Sequence, residues 1–182
     1  KRLLDFVNQM KATSSLNEKK VIIGTIKNDE FIKRALKYAY DPYKKYYVTS
    51  ATCKKRSDLY ELPIFADLFC ILDDLNGRYV TGHDAIAAVN AFVMANNQYE
   101  DIIFNIIDRD LKMGANTRSI NKVIPNLIPT FKVALANPYN PKRTDFENEE
   151  WFGSRKLDGV RCICRKEGNS VSFLSRSGKE FL

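Results

Sequence analysis

The spacing of apolar residues changes along this chain from a helical period to a strand period. Up to about Thr130, apolar side chains recur three and four positions apart, as Leu3, Phe6 and Met10 do, and this is the spacing of one helix face. From Trp151 onward, short alternating runs predict strands instead. The expected fold class is therefore mainly α, with an all-helical bundle followed by the first strands of an incomplete β-rich domain.

Capping and stop residues divide the helical part into about seven helices. Asn28 or Asp29 is a suitable cap between the second and third helices, and Gly77 and Gly114 are suitable ends for later ones. The predicted helices cover 3–10, 16–26, 31–39, 63–77 opened by Pro63, a segment capped by Thr81 that carries Ile86 to Val93, 99–113, and 117 to 123 or 124. The predicted strands cover 151–157, 160–166 and 170–175, with a candidate fourth starting at Lys179.

The change in pattern predicts a helical domain over 1–130, a linker over 131–150 and the start of a second domain over 151–182. The linker is indicated by the run Asn137-Pro138-Tyr139-Asn140-Pro141 and by the acidic residues that follow it. Three or four short strands bury little apolar surface, so the last segment is too short to be a complete domain. We therefore expect one whole domain and the opening of another, as in a truncated sequence.

The composition is that of a globular protein, with 45% apolar and 12% aromatic residues among 182. No run of about 18 apolar residues is present, so no membrane-spanning helix is expected. The four cysteines, Cys53, Cys70, Cys162 and Cys164, lack zinc-ligand spacing, and their use fits a reducing cytosol. As alternate residues of one strand, Cys162 and Cys164 are expected to be half-buried. A monomer is the default expectation, since nothing in the sequence marks an oligomer interface.

Basic residues are concentrated in two stretches on either side of an acidic middle. Residues 33–56 contain eight Lys and Arg residues against Asp41, and residues 109–143 contain seven against Asp110. Between them, residues 58–108 contain nine acids against a single base. With a net charge of +7, this distribution predicts a polyanion such as nucleic acid, bound by one positive face built from distant segments. The alternative from composition alone is that these are solvated helix faces.

The most specific local pattern is K-x-D-G-x-R at residues 156–161. Its flanks predict two strands joined by a tight Asp158-Gly159 turn. An unprotonated Lys156 amine at the end of such a strand could attack the α-phosphate of a nucleotide, while Arg161 and a metal ion offset the phosphate charge. For the motif alone, an ordinary Asp-Gly hairpin with exposed charges is the competing interpretation.

A second candidate site lies between two predicted helices. The first helix is predicted to end at Gly114 and the next is capped by Asn116 or Thr117, so that its first N–H groups are free to bind phosphate. Such contacts would hold duplex DNA without reading its sequence. The alternative is a plain surface corner. The candidate phosphate ligands are Gly114, Asn116, Arg118, Ser119 and Lys122.

These motifs occur together, and together they resemble a known family. Residues 175–180, S-R-S-G-K-E, follow K-x-D-G-x-R at the spacing of the first two motifs of the covalent nucleotidyltransferases, which are ATP-dependent DNA ligases, RNA ligases and mRNA capping enzymes. Residues 109–129 resemble the segment that ends the helical DNA-binding domain of phage ATP-dependent DNA ligases, particularly the T-even type. The same ligases also resemble this chain, more loosely, over residues 31–47. The chain is thus similar to the DNA-binding domain of such a ligase followed by the start of its adenylation domain.

The resemblance implies a nick-sealing reaction on duplex DNA, with ATP and Mg²⁺ as cofactors. It implies that Lys156 is adenylated, that AMP passes to the 5′-phosphate at the nick, and that the 3′-hydroxyl then attacks to seal the strand. A phage enzyme of this kind would act in the host-cell cytoplasm during DNA replication, repair and recombination. The nucleotide-binding residues that the resemblance implies are Ser154, Arg155, Lys156, Asp158, Gly159, Arg161 and Arg176. The DNA-binding residues are the candidate phosphate ligands named above.

The later motifs of this family are missing from the 182 residues. In the family they supply a metal-binding glutamate, an aromatic platform for adenine and lysines for the α-phosphate, and an oligonucleotide-binding-fold domain follows them. We therefore assign no metal site here and expect the 182 residues alone not to seal nicks. Two alternatives stay open: a non-catalytic duplex-DNA-binding module, and an RNA ligase or capping-type nucleotidyltransferase, which the helical front domain disfavours.

Overall fold

A computed structural model describes residues 1–60, 67–131, 137–142, 145–155, 158–176 and 180–181. The chain divides into two compact units, Lys1–Thr130 and Phe131–Leu182. In the described residues the first unit contains eight α-helices and the second a two-stranded antiparallel sheet. The predicted fold class, mainly α with β structure confined to the end of the chain, is confirmed. No helix among the described residues combines the length and apolar character needed to cross a membrane.

Side-chain caps begin most of the helices. The helices are α1 (Arg2–Lys11), α2 (Leu16–Thr25), α3 (Glu30–Tyr40), α4 (Ser50–Lys55), α5 (Leu68–Gly77), α6 (Gly82–Ala95), α7 (Glu100–Ile107) and α8 (Thr117–Val123), with a 3-10 turn over Asn97–Tyr99 before α7. The side chains that accept a backbone N–H at a helix start are those of Ser15, Asp29, Thr49, Asp67 and Asn116. Each cap satisfies an N–H group that the helix itself leaves without a partner.

One apolar core fills the first unit, and it includes loop residues as well as helix faces. The predicted face of α1 is buried through Leu3, Phe6, Val7 and Met10. Leu111, Met113 and Ile128 are as buried as the core of the helices, with 0%, 1% and 1% of their surface exposed. Because these three lie outside the helices, the segments before and after α8 are fixed by burial.

Two predicted helix boundaries are wrong. The helix predicted to open at Pro63 begins at Leu68, where Asp67 accepts the N–H of Phe69, and Pro63 itself lies outside the described residues. The helix predicted to continue to Met113 ends at Ile107. In addition, α4 has no predicted counterpart, because its six-residue sequence S-A-T-C-K-K has no apolar period.

The end of α7 explains the second error. Asp110 donates its N–H to the Asn105 carbonyl and Arg109 donates to the Ile106 carbonyl, which is the hydrogen-bond pattern of a Schellman motif. The residue that such a motif holds in the left-handed region is usually glycine, but here it is Arg109, with φ 61°. The sequence therefore has no glycine at the true end of the helix, and the next glycine along the chain is Gly114. For that reason the sequence predicts a helix that is too long.

In the second unit, β1 (Cys162–Glu167) and β2 (Ser170–Ser175) form a hairpin. Its two-residue turn is Gly168-Asn169, and the φ of 58° at Gly168 is that of the first position of a type II′ turn. The predicted turn at Asp158-Gly159 is therefore not the turn of this hairpin. No strand is present over 151–155, and residues 156–157 of the predicted first strand lie outside the described residues.

The two faces of the hairpin differ in exposure. Ile163 and Leu174, which are partners in the register, are partly covered. Cys162 and Cys164 lie on the opposite face and are exposed, so the expectation that they are half-buried is wrong. After β2 the chain pairs with it again through a bridge between Leu174 and Glu180, close to the predicted start of a further strand at Lys179, which lies outside the described residues.

Candidate nucleic-acid interface and nucleotide-binding motif

The second candidate site is a loop over residues 108–116 that joins α7 to α8. Its side chains alternate between the core and the solvent: Leu111 and Met113 are buried, whereas Asp110, Lys112 and Gly114 are exposed. The loop thus presents one row of residues to solvent while the other row holds it to the core.

Polar contacts from distant segments also fix this loop. The Leu111 N–H donates to the Tyr40 hydroxyl at 3.3 Å, and the Arg109 guanidinium donates to the Asp41 carbonyl at 2.5 Å. At the start of the loop, Asp108 accepts the N–H of Ser50, the first residue of α4, at 2.8 Å. The end of α3 and the start of α4 therefore hold the loop in place.

A buried lysine supports the far end of the loop. The Lys19 ammonium, on α2, donates to the Met113 carbonyl at 2.9 Å and to the Gly114 carbonyl at 3.1 Å. Only 9% of the Lys19 surface is exposed. Helix α2 also packs beside α8, where Gly24 faces Val123. No sequence pattern indicates this role, because Lys19 and Lys20 together have the composition of an ordinary charged helix face.

The backbone of the loop is unusual in its torsion angles. Arg109, Lys112 and Gly114 have φ of 61°, 50° and 64°. Residues other than glycine seldom adopt this left-handed region, and such conformations persist where the surrounding contacts enforce them. Lys112 is held by an Asx turn in which its N–H donates to the Asp110 carboxylate at 2.9 Å. A strained, well-anchored loop of this kind is typical of a binding site.

Ion pairs distinguish the two basic stretches. In the first stretch, half of the eight basic side chains pair with carboxylates within the chain, and Arg34 lies over the Phe69 ring at 4.2 Å. The ion pairs are Lys33 with Glu30, Lys44 with Asp73, Lys54 with Glu100 and Arg56 with Asp58. At least half of these cations are thus compensated, so the first stretch adds less to a positive face than its composition suggests.

The cations around the 108–116 loop are not compensated in this way. Within the described part of the chain, Lys112, Arg118 and Lys122 form no ion pair, and all three are exposed. Arg118 and Lys122 are four residues apart on α8, so they lie on the same helix face. The loop and the helix that follows it therefore present three uncompensated cations to a polyanion.

The remaining predicted DNA-binding residues cap α8. The Asn116 side chain accepts the Ser119 N–H at 3.0 Å and lies 3.2 Å from the Ser119 hydroxyl. Two of the predicted phosphate ligands are thus engaged with each other, whereas Gly114 turns the backbone just before them. All five predicted DNA-binding residues lie either at the end of the 108–116 loop or on the helix that follows it.

Burial of Tyr40 makes the support of the loop sensitive to alkaline pH. Burial raises the pKa of the Tyr40 hydroxyl to about 12 and that of the Cys53 thiol to about 11. A group whose pKa is raised by folding stabilises the fold fully below its unfolded pKa, and this contribution is lost as pH rises through the folded value. For Tyr40 that window runs from about pH 10 to about pH 12.

We expect the free energy of unfolding to fall between neutral pH and about pH 11, and to fall less in Tyr40→Phe. The variant should lose about 1 kcal/mol at neutral pH, because the Leu111 N–H no longer has its acceptor. Urea unfolding followed by circular dichroism at the two pH values measures both effects. An equal alkaline loss in the variant and the parent would contradict the assignment to Tyr40.

One arginine from each of the two predicted nucleotide-binding motifs adjoins the open end of the hairpin. Lys156 lies outside the described residues. The other predicted nucleotide-binding residues, Ser154, Arg155, Asp158, Gly159, Arg161 and Arg176, are all exposed. Arg161 directly precedes β1 and Arg176 directly follows β2, where Cys162 pairs with Ser175. The hairpin therefore brings the two arginines of the two sequence motifs to the same end of the sheet.

Aromatic side chains precede this motif in the second unit. Tyr139 stacks on Phe146 with ring centroids 6.1 Å apart, and Phe146 contacts Trp151 at 5.1 Å. The Trp151 indole N–H donates to the Asp145 carbonyl at 2.7 Å. Among the described residues, no three His, Cys, Asp or Glu side chains are grouped so as to hold a metal ion.

The fold of the chain matches those of two solved structures. It matches the solved structure Pmar-Lig_PreS3 with a TM-score of 0.69 and 24% identity, over 99% of this chain and 43% of that one. It matches Pmar-Lig_Pre with a TM-score of 0.64 and 22% identity, over the same shares. At these identities the likeness concerns the fold.

The sequence comparison identifies the relatives more closely. The chain is homologous to the N-terminal region of the DNA ligases of Enterobacteria phages T4 and T6. It is 27% identical to each over 188 aligned positions, which cover 99% of this chain and 38% of each ligase. The chain thus spans less than half the length of these relatives. No protein-family model matches it. The predicted resemblance to T-even phage DNA ligases is confirmed.

Proposed function

We propose that the chain is the N-terminal portion of an ATP-dependent DNA ligase that seals nicks in duplex DNA through a lysine–AMP intermediate. The observation that carries this proposal is the homology to the T4 and T6 ligases along 99% of the chain. It is supported by three uncompensated cations, Lys112, Arg118 and Lys122, because they lie in or beside the loop whose sequence resembles the phage ligase segment.

The first unit would hold the duplex through its phosphates. Lys112, Arg118 and Lys122 would supply charge, and the exposed backbone at Gly114 would approach closely because no side chain covers it. Asn116 and Ser119 would contribute polar groups at the start of α8. Contacts of this type fix the position of the protein on the duplex and read no sequence, which suits an enzyme that acts on any nick.

The second unit would supply the nucleophile. The Lys156 amine would attack the α-phosphorus of ATP, forming a P–N bond as the bond to pyrophosphate breaks. Arg161 and Arg176, at the same end of the hairpin, are suited to bind the phosphates or ribose of the nucleotide, or the 5′-phosphate at the nick. Ser154 and Arg155 would line the adenine site, with Asp158 and Gly159 shaping the turn.

ATP is the substrate of this first step, and Mg²⁺ is the second cofactor that the proposal includes. The described residues contain no grouped ligands that could hold a metal ion, so we assign no residue of the chain to Mg²⁺ and derive no step through it. The nicked duplex as partner, action as a monomer and location in the host-cell cytoplasm stay predictions.

Arg118→Ala is expected to weaken binding of nicked duplex about tenfold at moderate salt. Loss of one phosphate contact should also reduce the slope of log affinity against log salt by about 0.9. Fluorescence anisotropy across a salt series measures both quantities. The control is Lys11→Ala, which removes a positive charge from α1, outside both basic stretches, and should leave the slope unchanged. An unchanged slope in Arg118→Ala would reject the phosphate-binding role of α8.

The alternative from another class is a duplex-DNA-binding module without catalysis. It is favoured by the position of the exposed cations Lys112, Arg118 and Lys122, which all lie in the first unit, whereas K-x-D-G-x-R lies in the second. The two proposals agree on Arg118 and differ on Lys156, because a binding module has no need of a nucleophile. An RNA ligase or capping-type enzyme also shares K-x-D-G-x-R, and a preference for nicked RNA over nicked DNA would identify it.

A further inference from the structure

We propose that Lys19 is a positioning residue for phosphate binding. Its buried ammonium orients two peptide groups of the 108–116 loop so that the N–H groups of Gly114 and Ala115 are directed toward the DNA backbone. This inference rests on the proposed function, in which the loop and the start of α8 bind duplex phosphates. It adds a residue that lies on a different helix and does not itself contact the DNA.

The buried ammonium of Lys19 makes hydrogen bonds that packing alone would not require. Burying an ammonium group is costly unless hydrogen bonds compensate for the lost water. Here compensation comes from the carbonyls of Met113 and Gly114, at 2.9 Å and 3.1 Å. These carbonyls belong to consecutive peptide groups, so a single cation fixes the orientation of both. An apolar side chain could fill the same space between α2 and the loop, but it could not orient either peptide.

The geometry of the peptide group determines the direction of the N–H groups on the opposite side of the loop. In a trans peptide the N–H points away from the carbonyl of the same group. The Met113 carbonyl shares its peptide with the Gly114 N–H, and the Gly114 carbonyl shares its peptide with the Ala115 N–H. Because both carbonyls point toward Lys19, both N–H groups point away from it. Neither N–H donates to another residue in the described part of the chain.

Two adjacent N–H groups directed the same way form an anion-binding concavity when the residue between them has left-handed torsion angles. Gly114 has φ 64°, and the exposed cations Lys112 and Arg118 lie on either side of it in the sequence. A phosphate group is therefore the anion that fits: it is accepted by neutral backbone donors and attracted by the flanking charges.

The environment of Gly114 supports the same assignment. A Cβ atom at this position would lie 2.2 Å from the Lys19 Nζ atom. The side chain would therefore displace the ammonium from both carbonyls, in addition to straining a backbone with positive φ. Lys19 and Gly114 form a matched pair, in which the absence of a side chain on one makes room for the cation of the other.

The test is binding of nicked duplex DNA by the intact chain, measured by fluorescence anisotropy across a salt series. Lys19→Met is expected to raise the Kd about tenfold at fixed salt, through loss of two oriented donors, and to leave the salt slope unchanged. The control is Lys20→Met, the neighbouring lysine, whose ammonium bonds the Asn17 side chain and which should bind as the parent does. Far-UV circular dichroism establishes that each variant is folded.

Gly114→Ala tests the same contact from the loop. It should show the same loss as Lys19→Met, and the double variant should be no weaker than either single one, because each change breaks the same pair. If Lys19→Met does not fold, Lys19→Gln replaces it. Its amide can still donate to one carbonyl, so its Kd should lie between those of the parent and Gly114→Ala.

Two results would overturn the proposal. A folded Lys19→Met that binds duplex as tightly as the parent would show that Lys19 does not position the loop. A salt slope lowered by about 0.9 would show that Lys19 contacts a phosphate itself. Arg118→Ala separates this from the proposed function. If Arg118→Ala also has no effect, the phosphate site as a whole fails. If it weakens binding and Lys19→Met does not, the failure concerns Lys19 alone.

Discussion

Replacing Lys156 with alanine is expected to abolish the covalent labelling of the full-length protein by α-labelled ATP. The expected loss is complete, because no other group in K-x-D-G-x-R can form the P–N bond to AMP. Denaturing gel electrophoresis after incubation with labelled ATP and Mg²⁺ measures the label directly. Its release in acid and persistence in alkali would identify the bond as a phosphoramidate.

Two further variants test whether Lys156 acts as a nucleophile or only as a positive charge. Lys156→Arg keeps the positive charge but replaces the amine with a guanidinium that stays protonated, so it should be as inactive as the alanine variant. Lys166→Ala removes a lysine from β1, on the same hairpin, where the residue is exposed, and should keep the label. If Lys156→Ala were folded and still labelled, the nucleotidyltransferase proposal would be wrong, and the duplex-binding module would be the better description.

The 182 residues by themselves should give neither label nor sealed product. The family motifs expected to hold the adenine, the α-phosphate and the metal are missing from them. Arg161 and Arg176 lie exposed at the open end of a two-stranded sheet, where little excludes water from a reacting phosphate. Nick sealing by this chain alone would contradict that expectation and would require a catalytic site complete within these residues.

Periodicity predicted the helical part well where each helix has its own start signal. The apolar face of α1 and the Asn116 cap of α8 are both readable from the sequence, because a helix face and its cap depend on residues within a few positions of one another. The end of α7 could not be predicted from the sequence. Arg109 adopts a glycine-like conformation and contacts Asp41, far away in the chain, and a local pattern contains no information on such a contact.

The candidate site likewise combines features that the local sequence predicts with features that depend on distant contacts. The residues proposed to bind phosphate can be picked out from the sequence because they form one continuous segment with a recognisable composition. The groups that support this segment were not predicted. Lys19 and Tyr40 reach the loop from α2 and α3, and only the folded chain brings them there. The two basic stretches looked equivalent in the sequence, and the ion pairs that compensate much of the first depend likewise on tertiary contacts such as Lys44 with Asp73.

Leu111→Ala is expected to have the largest effect on stability among changes to the 108–116 loop. Leu111 is 0% exposed, and truncation of a fully buried leucine costs about 2–5 kcal/mol through lost burial and the cavity left behind. Urea unfolding followed by circular dichroism measures the loss. Because Leu111 anchors the loop to the core, the variant should also bind nicked duplex more weakly, with an unchanged salt slope.

The matched variant is Lys112→Gln, one residue further along the same loop. Lys112 is exposed and forms no ion pair within the described residues, so its replacement should change the free energy of unfolding by less than about 0.5 kcal/mol. It should instead reduce the salt slope of duplex binding by about 0.9, because a phosphate contact is lost. The two neighbours would then separate the two tasks of the loop, with stability depending on the buried row and DNA binding on the exposed one. If Lys112→Gln lowered stability as much as Leu111→Ala, or left the salt slope unchanged, this division of tasks would be wrong.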